Sequence, residues 1–106
     1  HMNAYTRFKL GYTENVPSIK PYDEAAWAEL ADVKELPVNI SITLLYALHR
    51  RWHSFLQSFN DEDWQRTVFH PEYKKEHTLW HYLQLYAWHG RHHVAQINFL
   101  RDKMQW

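Results

Sequence analysis

The chain contains no cysteine. That absence excludes disulfides, thiolate metal ligands, iron–sulfur clusters, thioether-attached haem and a protein thiol nucleophile together. Any sulfur chemistry has to arrive on a bound small molecule. Glycine and proline are scarce, two and four in 106 residues, beside 45% hydrophobic and 23% charged residues. Such a composition suits a folded domain and not a linker, a collagen or a disordered tail. The length suits one domain, being too short for two that each bury a core. Excess charge is missing as well: Lys plus Arg and Asp plus Glu number 12 each. No basic stripe offers itself to a phosphate backbone, so no nucleic-acid partner is expected. No apolar run approaches the roughly 20 residues that a bilayer requires, and no charged-then-apolar leader opens the chain. The sequence is read as cytosolic, without a membrane partner. His1-Met2 is either native sequence or the remnant of a cleaved purification tag.

What is abundant is imidazole and large aromatics, with nine His, six Trp and seven Tyr. Imidazole is the commonest protein ligand of transition metals and titrates nearest neutral pH, which favours a metal or proton-transfer site. Abundance alone does not separate these from surface or core histidines.

Met2, Tyr5, Phe8 and Tyr12 recur at helical spacing, so residues 2–12 are expected to form a helix, one that begins with its stripe already running and without a preceding cap. Pro17, Pro21 and Pro37 punctuate a long crossover, within which Asp23 can cap a short helix through Trp27 and Leu30. A second long helix is expected from about Ser41 to Phe59, with Ile42, Leu45, Leu48, His49, Trp52, Leu56 and Phe59 on one stripe. A helical turn starts at Asn60, and residues 67–77 read as a small hairpin or an irregular loop. Thr78 caps a last helix reaching about Asp102, with Leu79, Tyr82, Tyr86, His93, Ile97 and Leu100 facing inward. The fold class is therefore all-α, a bundle with three long amphipathic helices. A four-helix bundle needs one more apolar face, so a stripe left open has to be covered by a partner chain or by upstream residues.

Three histidine pairs sit four residues apart: His49 with His53, His77 with His81, and His89 with His93. That spacing places two rings on one helical face, within reach of one ion. At about 100° per residue, Tyr82, Tyr86, His89 and Ile97 fall within about 40° of His93, so both His89 and His93 are expected to face the core. Two buried rings need partners for their nitrogens, and either a shared metal or hydrogen bonds can supply them. Gly90 beside them suggests a close backbone approach. His49 faces inward with His53 at the stripe's edge, and the rings of His77 and His81 are expected in solvent. Every charged residue except Arg7 and Arg91 is read as solvated surface.

These residues carry a resemblance. Trp88-His89-Gly90-Arg91-His92-His93, with Thr78-Leu79 before it, Leu48-His49-Arg50-Arg51-Trp52, His70-Pro71-Glu72 and Lys20-Pro21-Tyr22-Asp23-Glu24 followed by Trp27, resemble the DinB superfamily, in its YfiT branch of metal-dependent hydrolases. The similarity covers nearly the whole chain. It implies a four-helix bundle with a long crossover, holding nickel or zinc on three histidines. Two of these lie four apart on the last helix and match His89 and His93. The third belongs to an earlier stretch that would precede His1, so the resemblance implies a chain without the first helix and the leading half of the second, completed by dimerisation. Related proteins transfer thiols such as bacillithiol to electrophiles or hydrolyse their substrates. A small-molecule substrate, with a low-molecular-weight thiol as cosubstrate, is thus implied. Arg7 or Arg91 would orient a carboxylate-bearing substrate or thiol by bidentate contact, and Asn3, Tyr86 or Gln96 would support the metal ligands. The competing readings are a metal-free, self-associating bundle fragment and a haem held between histidines of facing helices.

Overall fold

The computed structural model describes all of residues 1–106. Helix α1 (Met2–Thr13) buries Ala4, Phe8 and Gly11 on one face, which places Tyr5 and Tyr12 at its margins. The crossover follows. Pro17 and Ile19 are buried, and the backbone there joins a strand: Phe69 N–H donates to Pro17 O at 2.9 Å, and Ile19 N–H to Phe69 O at 3.0 Å. Short helix α2 (Glu24–Ala28) starts where the Asp23 carboxylate accepts from Ala26 N–H at 2.9 Å. A further turn, α3 (Ala31–Glu35), has no such cap.

Helix α4 (Val38–Leu56) begins directly after Pro37, whose ring fixes φ and forbids continuation from upstream. Helix α5 (Asp61–Gln65) opens on a reciprocal capping box between Asn60 and Asp63. Strands β1 (Thr67–His70) and β2 (Lys75–Thr78) form an antiparallel hairpin in the register Thr67↔Thr78 to His70↔Lys75, closed by Lys74 at φ 50°. Residues 67–77 are therefore the hairpin and not the loop. Helix α6 (Leu79–Met104) runs 26 residues from the Thr78 cap, whose hydroxyl accepts from His81 N–H at 3.0 Å.

The core is small and sits at one end. Phe8, Val68 and Leu79 are almost wholly enclosed, with Ala4, Ile19, Trp52 and Tyr82 around them. Gly11 makes that contact possible, because a Cβ there would stand 2.7 Å from Leu79 Cδ2 and 2.9 Å from Val68 Cγ1. Arg66 ties the end of α1 to the hairpin: its Nε donates to Gly11 O at 3.0 Å and its Nη2 to Glu14 O at 3.3 Å. It is thus a strut and not merely a solvated charge.

The inward stripes hold only where elements overlap. Leu79 and Tyr82 on α6 are buried, but Ile97 and Leu100, expected inside, are 60% and 47% exposed. On α4 Trp52 is buried, while Ile42 and Leu45 remain exposed. The reason is geometric: at about 1.5 Å per residue α6 is about 39 Å long, and the packed body covers only its first part. The molecule is accordingly elongated, 47 × 28 × 24 Å. No helix is long and apolar enough to cross a membrane.

Candidate functional site

A cleft of about 550 Å³ opens between the first half of α1, the crossover around Tyr22 and Glu24, the C-terminal half of α4, the hairpin and α6. Its floor is aromatic. Trp52 and Tyr86 lie 5.9 Å apart between ring centroids in an edge-on contact, and Tyr82 stacks on Tyr86 at 5.7 Å and 25°. Edge-on and offset contacts of this kind are the favoured arrangements of aromatic rings. Arg7 reaches in from α1, half-buried, and its Nη1 donates to the Tyr86 hydroxyl at 3.2 Å. Burial pushes the phenols of Tyr82 and Tyr86 above their ordinary range; for Tyr86 the Arg7 guanidinium opposes that rise. Both hydroxyls therefore keep their protons at neutral pH.

His89 lines this cleft. His93, one turn on, brings its Nε2 to 2.5 Å from His89 Nε2. His93 Nδ1 lies 3.0 Å from Gln96 Oε1, and as the donor of that bond it leaves Nε2 with its lone pair free. Burial lowers the pKa of His89, and repulsion from His93 lowers it further, while Glu24 pulls the other way. A neutral ring is the ligand form. The two nitrogens face each other at hydrogen-bond distance, and with both lone pairs free they would flank one ion. Nitrogens about 2.1 Å from a single ion at a right angle or wider stand about 3 Å or more apart, so each ring has to swing by a fraction of an ångström. The donor set fits an ion as a two-nitrogen bite. No cluster of three His, Cys, Asp or Glu side chains that could hold a metal is present, whereas a catalytic centre of this kind ordinarily uses three protein ligands.

Several expectations require correction. His89 and His93 are paired but not core residues: both are exposed, because nothing packs over that part of α6. Arg91 is exposed and does not line the cleft, so of the two arginines only Arg7 reaches it. Gly90 admits no close approach, since a Cβ there would meet nothing within 4 Å. His77 and His81 are not simply solvated, because their rings stack at 4.5 Å and 17° on the cleft wall, with His77 half-buried. His49 and His53 both line the cleft, and His49 Nε2 meets His1 Nδ1 at 2.8 Å. Sequence reasoning missed Tyr22 and Glu24 of the crossover and His70 of the hairpin, all lining residues. Only the third dimension brings them there.

The comparisons with known proteins identify the family and the fold. The model of the DinB superfamily matches residues 1–97. A relative from Bacillus mycoides strain KBAB4 is 51% identical over 106 residues, and one from Bacillus cereus strain 03BB102 is 52% identical over the same span; both are provisionally named metal-dependent hydrolases. These matches cover 100% of this chain and 60% of each relative. The chain thus spans less than two thirds of the length of the curated relatives it matches. Among solved structures, YfiT from Bacillus subtilis, described provisionally as a metal-dependent hydrolase with an unusual four-helix bundle topology, superposes with a TM-score of 0.96 at 46% identity, over 100% of this chain and 61% of that one. By fold, family model and relatives, the chain belongs to the DinB superfamily and is YfiT-like.

Proposed function

We propose that the chain is the metal-site part of a YfiT-type enzyme, a hydrolase or a thiol S-transferase, in which His89 and His93 hold a divalent ion, nickel or zinc. The convergence of the two Nε2 atoms at the mouth of a cleft that Arg7 also enters carries this reading. A dication held there supplies Lewis acidity, lowering the pKa of water or of a cosubstrate thiol so that a nucleophile exists at neutral pH. The chain's own residues do the rest. Gln96 orients the His93 ring through Nδ1. Arg7, held by the Tyr86 hydroxyl, presents the remaining N–H groups of its fork to a carboxylate on the substrate or on the thiol. The aromatic floor excludes water beneath the bound molecule. Because the chain has no cysteine, a thiol in this chemistry belongs to the cosubstrate.

Two copies associating through the open faces of α4 and α6 belong to the same proposal. Val38 and Tyr46 on α4, and Ile97 and Phe99 on α6, each expose more than half of their surface, and apolar faces of this kind favour burial against a partner. The same faces favour a second reading, a metal-free bundle fragment that merely self-associates. Elemental analysis of the purified protein beside a His93→Ala variant separates the two. The proposal expects metal in the parent and its loss in the variant; equal metal in both contradicts it.

A further inference from the structure

Helices α1 and α4 carry Arg7, Lys9, Arg50 and Arg51 and not one Asp or Glu, although the chain as a whole balances 12 basic against 12 acidic residues. Arg7 turns into the cleft. The other three cations line a second groove of about 490 Å³ between the two helices, together with Tyr5, Ser54 and Phe55, and it shares no residue with the cleft. No carboxylate neutralises them, because the chain's one ion pair joins Lys34 to Glu29. Ring faces hold Lys9 in place instead: its Nζ stands 4.5 Å from the centroid of Phe55 and 5.4 Å from that of Tyr5, a cation–π arrangement. Burial alone would raise the Tyr5 phenol, yet Arg51 and Lys9 pull it below its ordinary range, so the field in the groove favours a negative oxygen. Lys9, Arg50, Arg51 and Ser54 are exposed, and a solute reaches them directly.

We propose that this groove is a binding site for a small phosphate monoester, separate from the cleft and independent of the metal reading. The donor inventory sets the ligand's chemistry. Two guanidinium forks, an ammonium and two hydroxyls offer more N–H and O–H groups than the two oxygens of a carboxylate engage, whereas the three terminal oxygens of a phosphate meet them from several sides. A dianion also offsets more of the three positive charges than a monoanion does. Distance sets the ligand's size. Arg50 to Phe55 spans about 8 Å along α4, and Tyr5 to Lys9 about 6 Å along α1, which admits one phosphoryl group. A nucleic-acid backbone repeats its charge along the strand and calls for a basic stripe that runs on. Beyond Arg7, which faces the cleft, α1 and α4 hold no further Lys or Arg to extend this one.

The test titrates phenyl phosphate and benzoate into the full chain and follows the arginine Nε–H signals by nitrogen NMR. The proposal expects the Arg50 and Arg51 signals to move and saturate with phenyl phosphate while those of Arg7 and Arg101 stay in place. Benzoate should bind about tenfold more weakly. Phenyl phosphate should itself weaken as the solution is acidified through about pH 6, where the phosphate takes up its second proton. The double variant Lys9→Met/Arg51→Gln should lose about tenfold or more in affinity, the range of a hydrogen bond to a charged group, and Lys103→Met, near the far end of α6, should lose none. A response centred on Arg7, equal affinity for benzoate, an equal loss in Lys103→Met or the absence of saturation each overturns the site. Vesicles of phosphatidylcholine with phosphatidic acid distinguish a free ligand from a lipid headgroup. The proposal expects no co-sedimentation; capture on these vesicles assigns the groove to a membrane surface and overturns it.

Discussion

The two glycines of the chain face opposite demands, and that difference can be measured. At Gly11 an added methyl would collide with Leu79 and Val68, both enclosed in the core, whereas at Gly90 it would meet open space. Gly11→Ala should therefore destabilise by about 1–3 kcal/mol through overpacking. Gly90→Ala should stabilise by about 0.5–1 kcal/mol, because it removes a flexible residue from a helix interior. Chemical denaturation of both variants checks the opposite signs. His77 gives a pH dependence. Burial lowers its pKa first, and the nearby His81, Lys75 and His70 lower it further. A folded pKa below the ordinary histidine value means that the unfolded chain binds the proton more readily. The His77 contribution is thus complete above about pH 6.5 and is lost as pH falls from there toward the depressed value. Melting curves between pH 7.5 and 5 should fall more steeply for the parent than for His77→Phe. At the proposed metal pair, Gln96→Leu removes the acceptor that orients His93 and should weaken metal affinity about tenfold or more, which a competitive chelator titration reads directly.

Among the elements, periodicity and caps located much of the fold. Helix α1, the Asp23, Asn60 and Thr78 caps and the long α6 stand where the sequence places them, but of the expected α1 stripe of Met2, Tyr5, Phe8 and Tyr12 only Phe8 is enclosed, beside Ala4 and Gly11, and Met2 is exposed. The α4 boundaries shifted to Val38–Leu56 because Pro37 itself sets the start, and α3 went unseen because five residues with no side-chain cap leave no local signal. What periodicity cannot tell is whether a partner covers a stripe. Leu79 and Ile97 share the apolar face expected of α6, yet one is enclosed and the other lies open. The same reasoning explains the site. Fourfold spacing correctly brought His89 beside His93, but their burial depended on a neighbouring element that does not reach them. Leu79→Ala should cost about 2–5 kcal/mol, while Ile97→Ala in dilute protein should stay within about 0.5 kcal/mol, as open positions do. Denaturant midpoints of the pair decide it.

Over the whole molecule, the scarcity of interior stands out. Only nine of 106 residues are buried, and the radius of gyration is 16.0 Å, against about 13 Å for a compact domain of this length. Exposed Val38, Tyr46, Ile97 and Phe99 account for the excess in chemical terms, and association is the expected response to it. Sedimentation should show a concentration-dependent dimer that Ile97→Asp dissociates, with the monomer retaining its helical circular dichroism. The proposed function rests on a narrower point, the joint use of two imidazole nitrogens. The most direct test is histidine-selective nitrogen NMR of the protein titrated with zinc. The account predicts that the Nε2 signals of His89 and His93 move together and saturate, with the Nδ1 proton of His93 still protected by Gln96. Signals that stay in place, or a response confined to His49 and His53, would contradict it.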